Sequence, residues 1–234
     1  ALAYAAVAAI ALFLAGPPAY ASPLFPSAGI ALAATLVYGR TALPGVWLGA
    51  WLTNAALGPA RSVELWPALV LPAAIGLGAM AQAGVGAWLV RRFVPQPVVL
   101  DVPRDILLAA MLGAVLACTL SASVALSVVG VVPAGDGPST WLTWWQGDTL
   151  GVLIGAPLVL TLIGQPGEDW RPRRRTLGLP MLLVLMVLAA TLSQLARSDR
   201  QRALATFERD ADRLAGNAQL RIGSALHALQ ALHS

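Results

Sequence analysis

The chain has 234 residues, of which 58% are hydrophobic and only 11% charged, against roughly 25% charged in an ordinary soluble domain. Its fifteen positive side chains are all arginine and cluster between apolar runs, so membrane orientation accounts for them and nucleic-acid binding does not. A lone cysteine, Cys118, excludes an internal disulfide and a cysteine-rich metal site.

A bilayer core about 30 Å thick calls for around 20 apolar residues per helix. In chain order, runs of that kind lie at 1–19, 24–39, 42–58, 65–90, 105–132, 140–164 and 177–196, the second and third being short. The first, "ALAYAAVAAIALFLAGPP", begins without a charged n-region, so it reads as a span that starts further upstream rather than as a signal peptide. Breakers separate the runs, among them "GRTALPG" at 39–45, "PAGDGP" at 133–138 and "PGEDWRPRRR" at 166–175. The fold expected is all-α: a polytopic transmembrane helical bundle of about seven spans over residues 1–196, followed by an extracytoplasmic helix at 197–234.

Arginine sets the direction of these spans. Arg40, Arg91, Arg92, Arg104, Arg171, Arg173, Arg174 and Arg175 fall in alternate loops, while the opposite loops carry only Arg61. The positive-inside rule puts the first set and the N-terminus in the cytoplasm, hence the bacterial inner membrane as location. Trp66 and Trp141 at outer ends, with Trp88 and Trp170 at inner ends, suit an aromatic belt. Residues 197–234 then lie outside. Phe207, Ala211, Leu214, Ala218, Ile222, Ala225, Leu229 and Leu232 step by three and four, a coiled-coil spacing with one stutter. Such a stripe either packs on its own domain or forms the seam of a homodimer, for which Phe207, Leu214, Ala225 and Leu229 are the candidate positions. The chain reaches Ser234 before a partner for the stripe occurs, so it reads as part of a longer protein.

Polar residues inside the spans are the candidate site. Asp148, in "WWQGDTLGVLIGAP", costs roughly 2.5–3.5 kcal/mol near a bilayer centre even on a mild scale. Counted from the ends of their spans, Ser27, Asn54 and Asp148 share the outer half of the membrane, with Ser121 and Ser123 near the middle and Gln82 nearer the cytoplasm. Either these three residues satisfy one another structurally, or they form a ligand- or proton-sensing site; Asn54 is the expected partner of Asp148. Gly147, Gly151 and Gly155 form GxxxGxxxG on the Asp148 helix, and Gly45 and Gly49 a shorter version, spacings that let helices approach closely. The spans contain no histidine and, apart from Asp105 at the very start of the fifth run, no second carboxylate, so no metal is expected. No nucleophile, base pair or phosphate loop points to an enzyme, and no cofactor is expected.

The segments "FPSAGIALAATLVYGRTALPGVWLGAWLTNAALG" (25–58) and "WWQGDTLGVLIGAPLVL" (144–160) resemble the first family of bacterial membrane-associated sensor domains, abbreviated MASE. There a PPSG-type start, a PGxxLGAxxxN span and a WWxGDxxGxxxxxP span recur in this order. Phe25 and Pro26 depart from the usual Trp-Pro-Pro run. The tail 207–234 resembles the opening helix of a CHASE module, an extracytoplasmic ligand-binding domain. The resemblance implies sensory input to a histidine kinase or to a cyclic-di-GMP synthase or phosphodiesterase. Its signal would be an unknown small molecule or membrane protein, and Ser27, Asn54 and Asp148 match family motif positions. A substrate-capturing membrane subunit of a transporter is the alternative use of the same outer polar pocket.

Overall fold

The computed structural model describes residues 1–15, 22–57, 65–128 and 137–233, and among these every regular element is helical. The chain divides into two compact units, Ala1–Leu192 and Ser193–Ser234.

In the first unit, α1 (Leu2–Ala15) is followed by α2 (Pro26–Tyr38). Pro26 suits the start of α2, because its fixed φ is helical and the N–H it lacks would be unpaired there. Gly39, at φ 72°, ends α2 in a conformation that L side chains rarely adopt. A single 3₁₀ turn, Gly39–Ala42, leads directly into α3 (Leu43–Leu57). After α4 (Leu65–Phe93), one helical rod is built from α5 (Pro103–Ala109), a π-helical stretch Ala110–Leu116 and α6 (Ala117–Val128). Next come α7 (Gly137–Ile163) and the short α8 (Gly167–Trp170). A second π-helical stretch, Arg174–Gly178, opens α9 (Leu179–His233).

Four stretches of described helix are long and apolar enough to cross a membrane: Leu69–Phe93, Pro103–Val124, Gly137–Ile163 and Arg174–Ser198. The other three expected spans are shorter. The 13 residues of α2 and 15 of α3 reach only about 20 and 22 Å at 1.5 Å per residue, because the Gly39 turn and Pro44 cut the second and third apolar runs apart. The ends of α1 and α3 adjoin segments outside the described residues.

The interior is made of small side chains. One cluster joins Ala28, Leu32 and Ala33 of α2 with Ala87, Ala114, Cys118, Val152 and Ala156, from α4, the π stretch, α6 and α7. A second joins Tyr4 and Ala8 of α1, Ala31 of α2, Val46 and Ala50 of α3 and Ala83 of α4. Both include α2 and α4, so these two helices hold the interior together. Leucines face outward instead: Leu69, Leu77, Leu107, Leu162, Leu182 and Leu183 are all exposed. Small residues inside and large apolar ones outside are what a bundle needs when lipid, not water, surrounds it.

The second unit lies within α9 and is helical from Ser193 to His233. Phe207 is 71% exposed within the chain. The side chains of Leu214, Ala225 and Leu229, the other candidate seam positions, lie outside the described residues.

Arginine anchors one end of the first unit. Arg91 donates to Thr35 O and Leu36 O at 2.9 and 2.8 Å, satisfying last-turn carbonyls of α2. Arg174 does the same for α7, through Thr161 O at 2.9 Å and Leu162 O at 3.3 Å. A cation at a helix C-terminus is also favoured by the helix dipole. Arg173 pairs with Asp101 and lies 5.2 Å from the Trp170 ring. Trp170 itself is only 1% exposed and donates to Val98 O at 3.2 Å. It is therefore a buried clasp on the 94–102 connection, not a member of an aromatic belt. Trp88, 60% exposed, does face outward; the Trp66 side chain lies outside the described residues.

Candidate functional site: a polar cavity around Asp148

The site begins with how α7 meets the chain before α2. Phe25 N donates to Gly147 O at 3.0 Å, an unusual backbone bond between a connection and a helix interior. A Cβ on Gly147 would fall on the Ser22 carbonyl, and one on Gly151 on the Phe25 carbonyl. On Gly155 it would come within 2.9 Å of Pro26 O. Gly29 of α2 meets the α7 backbone in the same way, at Ala156 N. The three glycines thus form a groove into which residues 22–29 are laid, backbone on backbone. Gly49 performs a similar service for α3, where a Cβ would come within 2.9 Å of Ala1 O and 3.0 Å of Tyr4 Cδ1; Gly45 lies against Ala1 N at 3.4 Å.

Asp148 sits beside this seam. Ser121 Oγ, from α6, donates to Asp148 Oδ2. Gln82, from α4, donates to the same carboxyl group and, through Nε2, to Cys118 Sγ at 3.1 Å. Asp148 therefore ties together three of the long helices. A small cavity of about 50 Å³ opens in front of it, with walls from six helices. Tyr4, Phe25 and Trp144 supply aromatic surface, and Asn54, Gln82 and Ser121 supply polar groups.

Of the three residues singled out by sequence, the structure brings two to one cavity. Asn54 lines it with Asp148, yet its Nδ2 donates to Ala50 O of its own helix at 2.9 Å, and Asp148 is held by Ser121 and Gln82. Ser27 is fully buried elsewhere, its hydroxyl donating to Tyr4 O at 3.1 Å and so fastening α2 to α1.

The depth count set Ser121 near the middle and Gln82 nearer the cytoplasm, apart from Asp148, and for Gln82 the reason is geometric. At 29 residues, α4 is about 44 Å long at 1.5 Å per residue, well beyond a core of about 30 Å. Counting from the end of such a helix displaces its residues by several ångströms. The usable signal was rarity: Gln82 is the one amide in an otherwise apolar run from Leu65 to Val90. Among the described residues, no group of three or more His, Cys, Asp or Glu could hold a metal ion.

The family model described as MASE1 matches residues 1–202. No curated protein and no solved structure matches the chain. The match covers the whole apolar region, including both stretches that meet at the Gly147–Gly155 seam, and it makes this region a sensory rather than a catalytic one. With its helical, outward-leucine bundle and its four helices of membrane-crossing length, the chain is a multi-pass membrane protein that belongs to the MASE1 family of membrane-associated sensor domains.

Proposed function

We propose that this chain is the membrane-embedded input module of a bacterial receptor in the inner membrane, and that the cavity around Asp148 receives the signal. The observation that carries the reading is a carboxyl group retained inside an apolar bundle, bonded from two other helices and facing a cavity rather than filling its space. Intramembrane ionisable groups are costly, and they mark ligand or ion pathways more often than simple packing.

In this reading the chain crosses the membrane seven times with its N-terminus in the cytoplasm, which fits the arginine asymmetry. Residues 197–234 lie outside and open a CHASE-like module. The output is a histidine kinase or a cyclic-di-GMP enzyme, driven by a two-state change in the helices that both domains bias. The receptor acts as a homodimer through the Phe207–Leu229 stripe.

The test is Asp148→Asn in the full-length receptor, scored separately for membrane abundance and for output. An amide retains most hydrogen bonds of a carboxyl group but neither its charge nor its proton. Normal abundance with output locked on or off is the expected result. Normal abundance with normal, still-regulated output would reduce Asp148 to a structural residue.

A further inference from the structure

We propose that the Asp148 cavity binds an ammonium group, carried either by a small primary amine or by an amine lipid headgroup; this rests on the sensory reading above and names its ligand chemistry.

Most hydrogen-bond donors around Asp148 are already engaged. The single hydroxyl proton of Ser121 is used on Asp148 Oδ2. The amide of Gln82 gives its protons to Cys118 Sγ and to Asp148. Asn54 spends an amide proton on Ala50 O. Besides the second Asn54 N–H, the Tyr4 hydroxyl and the Trp144 indole N–H, the residues lining the cavity contribute acceptors: the carboxyl group of Asp148 and the amide oxygens of Asn54 and Gln82. A ligand that satisfies them must bring several N–H donors.

Charge points the same way. Among the described residues Arg173 is paired with Asp101, and no cation is paired with Asp148. An anion would meet an uncompensated carboxylate, whereas a bound cation would neutralise it. Three walls are aromatic, with Tyr4 and Phe25 edge to face at 6.2 Å and Trp144 completing the lining. Aromatic faces attract ammonium groups and offer nothing to an ion that needs a full shell of oxygens. The volume of about 50 Å³ is room for a few water-sized groups, at roughly 10–15 Å³ each. That suits an ammonium with one or two carbons and excludes a bulky ligand.

The experiment is thermal unfolding of the purified chain in phosphatidylglycerol nanodiscs, titrated with methylammonium chloride. Sodium chloride and sodium acetate serve as controls at matched ionic strength. A saturable rise in the unfolding midpoint with methylammonium alone is expected. The apparent affinity should fall by about tenfold in Asp148→Asn and by about threefold in Trp144→Leu, the latter leaving every bond to Asp148 in place. In nanodiscs containing phosphatidylethanolamine, an unchanged titration assigns the site to a free amine. A lost titration there, because the headgroup already fills the cavity, assigns it to the lipid. An absent response in phosphatidylglycerol, an equal response to sodium, or a response that both variants keep would overturn the proposal. Locked output in the Asp148→Asn receptor together with no methylammonium response in the unsubstituted chain would sink the ligand assignment alone and leave the sensory reading standing.

Discussion

Asp148→Leu removes an acceptor and leaves the Ser121 and Gln82 donors facing each other without it. Stranding such buried groups costs about 1–3 kcal/mol, so this variant should accumulate less in membranes than Asp148→Asn, as immunoblots of membrane fractions would register. Thr149, next in the chain, behaves oppositely. Its buried Oγ1 has no nitrogen or oxygen partner and only the Cys118 thiol beside it, and a thiol is a weak partner. Thr149→Val should therefore be neutral or raise the unfolding midpoint, and a loss of more than about 1 kcal/mol would show that the hydroxyl is satisfied after all. The cost of a carboxylate within an apolar run made Asp148 legible from sequence. Its actual partners were not, because an amide and a hydroxyl carry no address until the tilt and offset of their helices are known.

The elements were legible to different degrees. Long apolar runs between breakers correspond to α4, the α5–α6 rod, α7 and the start of α9. For the α2–α3 pair the break at 39–45 was legible but the lengths were not, since the apolar runs 24–39 and 42–58 extend beyond helices of only 13 and 15 residues. Trp170 misled for a similar reason: a tryptophan beside arginines matches an interfacial belt, and only the fold shows Val98 O within reach of its indole. The tail is the element whose pairing is most directly testable. If the stripe on α9 is a seam between two receptors, cysteine at Leu214 or Ala225, in a Cys118→Ala background, should give disulfide-linked dimers in intact membranes under mild oxidation. Monomers at both positions would confine the stripe to packing within one chain.

For the molecule as a whole, the direction of threading is the assumption on which the outer position of 197–234 depends. In the Cys118→Ala background, cysteines at Thr41 and Arg175 should be shielded from a membrane-impermeant thiol reagent in intact cells. Cysteines at Ser62 and Gly135 should react. Arg175 is preferred to Arg173 because it is exposed, whereas Arg173 holds Asp101 and covers Trp170. The reverse labelling pattern would put the tail in the cytoplasm and remove the CHASE-like reading. Several of the arginines that set this direction also terminate helices, Arg91 on α2 and Arg174 on α7. Neutralising Arg174 with glutamine should therefore lower the unfolding midpoint as well as weaken the orientation signal, whereas Arg175→Gln should affect orientation alone.

The groove of Gly147, Gly151 and Gly155 constrains how this sequence can change. Most buried positions can vary in two directions, toward a smaller or a larger side chain, and a neighbour can make up the difference. At these three positions nothing smaller exists, and what faces them is largely main chain, which no substitution in residues 22–26 can trim. Every mutation in the groove is therefore an insertion of volume, and the only relief is to push α7 away from the segment that carries Phe25. That same separation would pull Asp148 from the wall opposite it. Gly151→Val should thus cost about 1–3 kcal/mol by overpacking, while Leu153→Ala on the exposed side of the same helix should cost little, and no second substitution across the groove should rescue the valine. Glycine here acts as a floor beneath which the seam cannot be repaired.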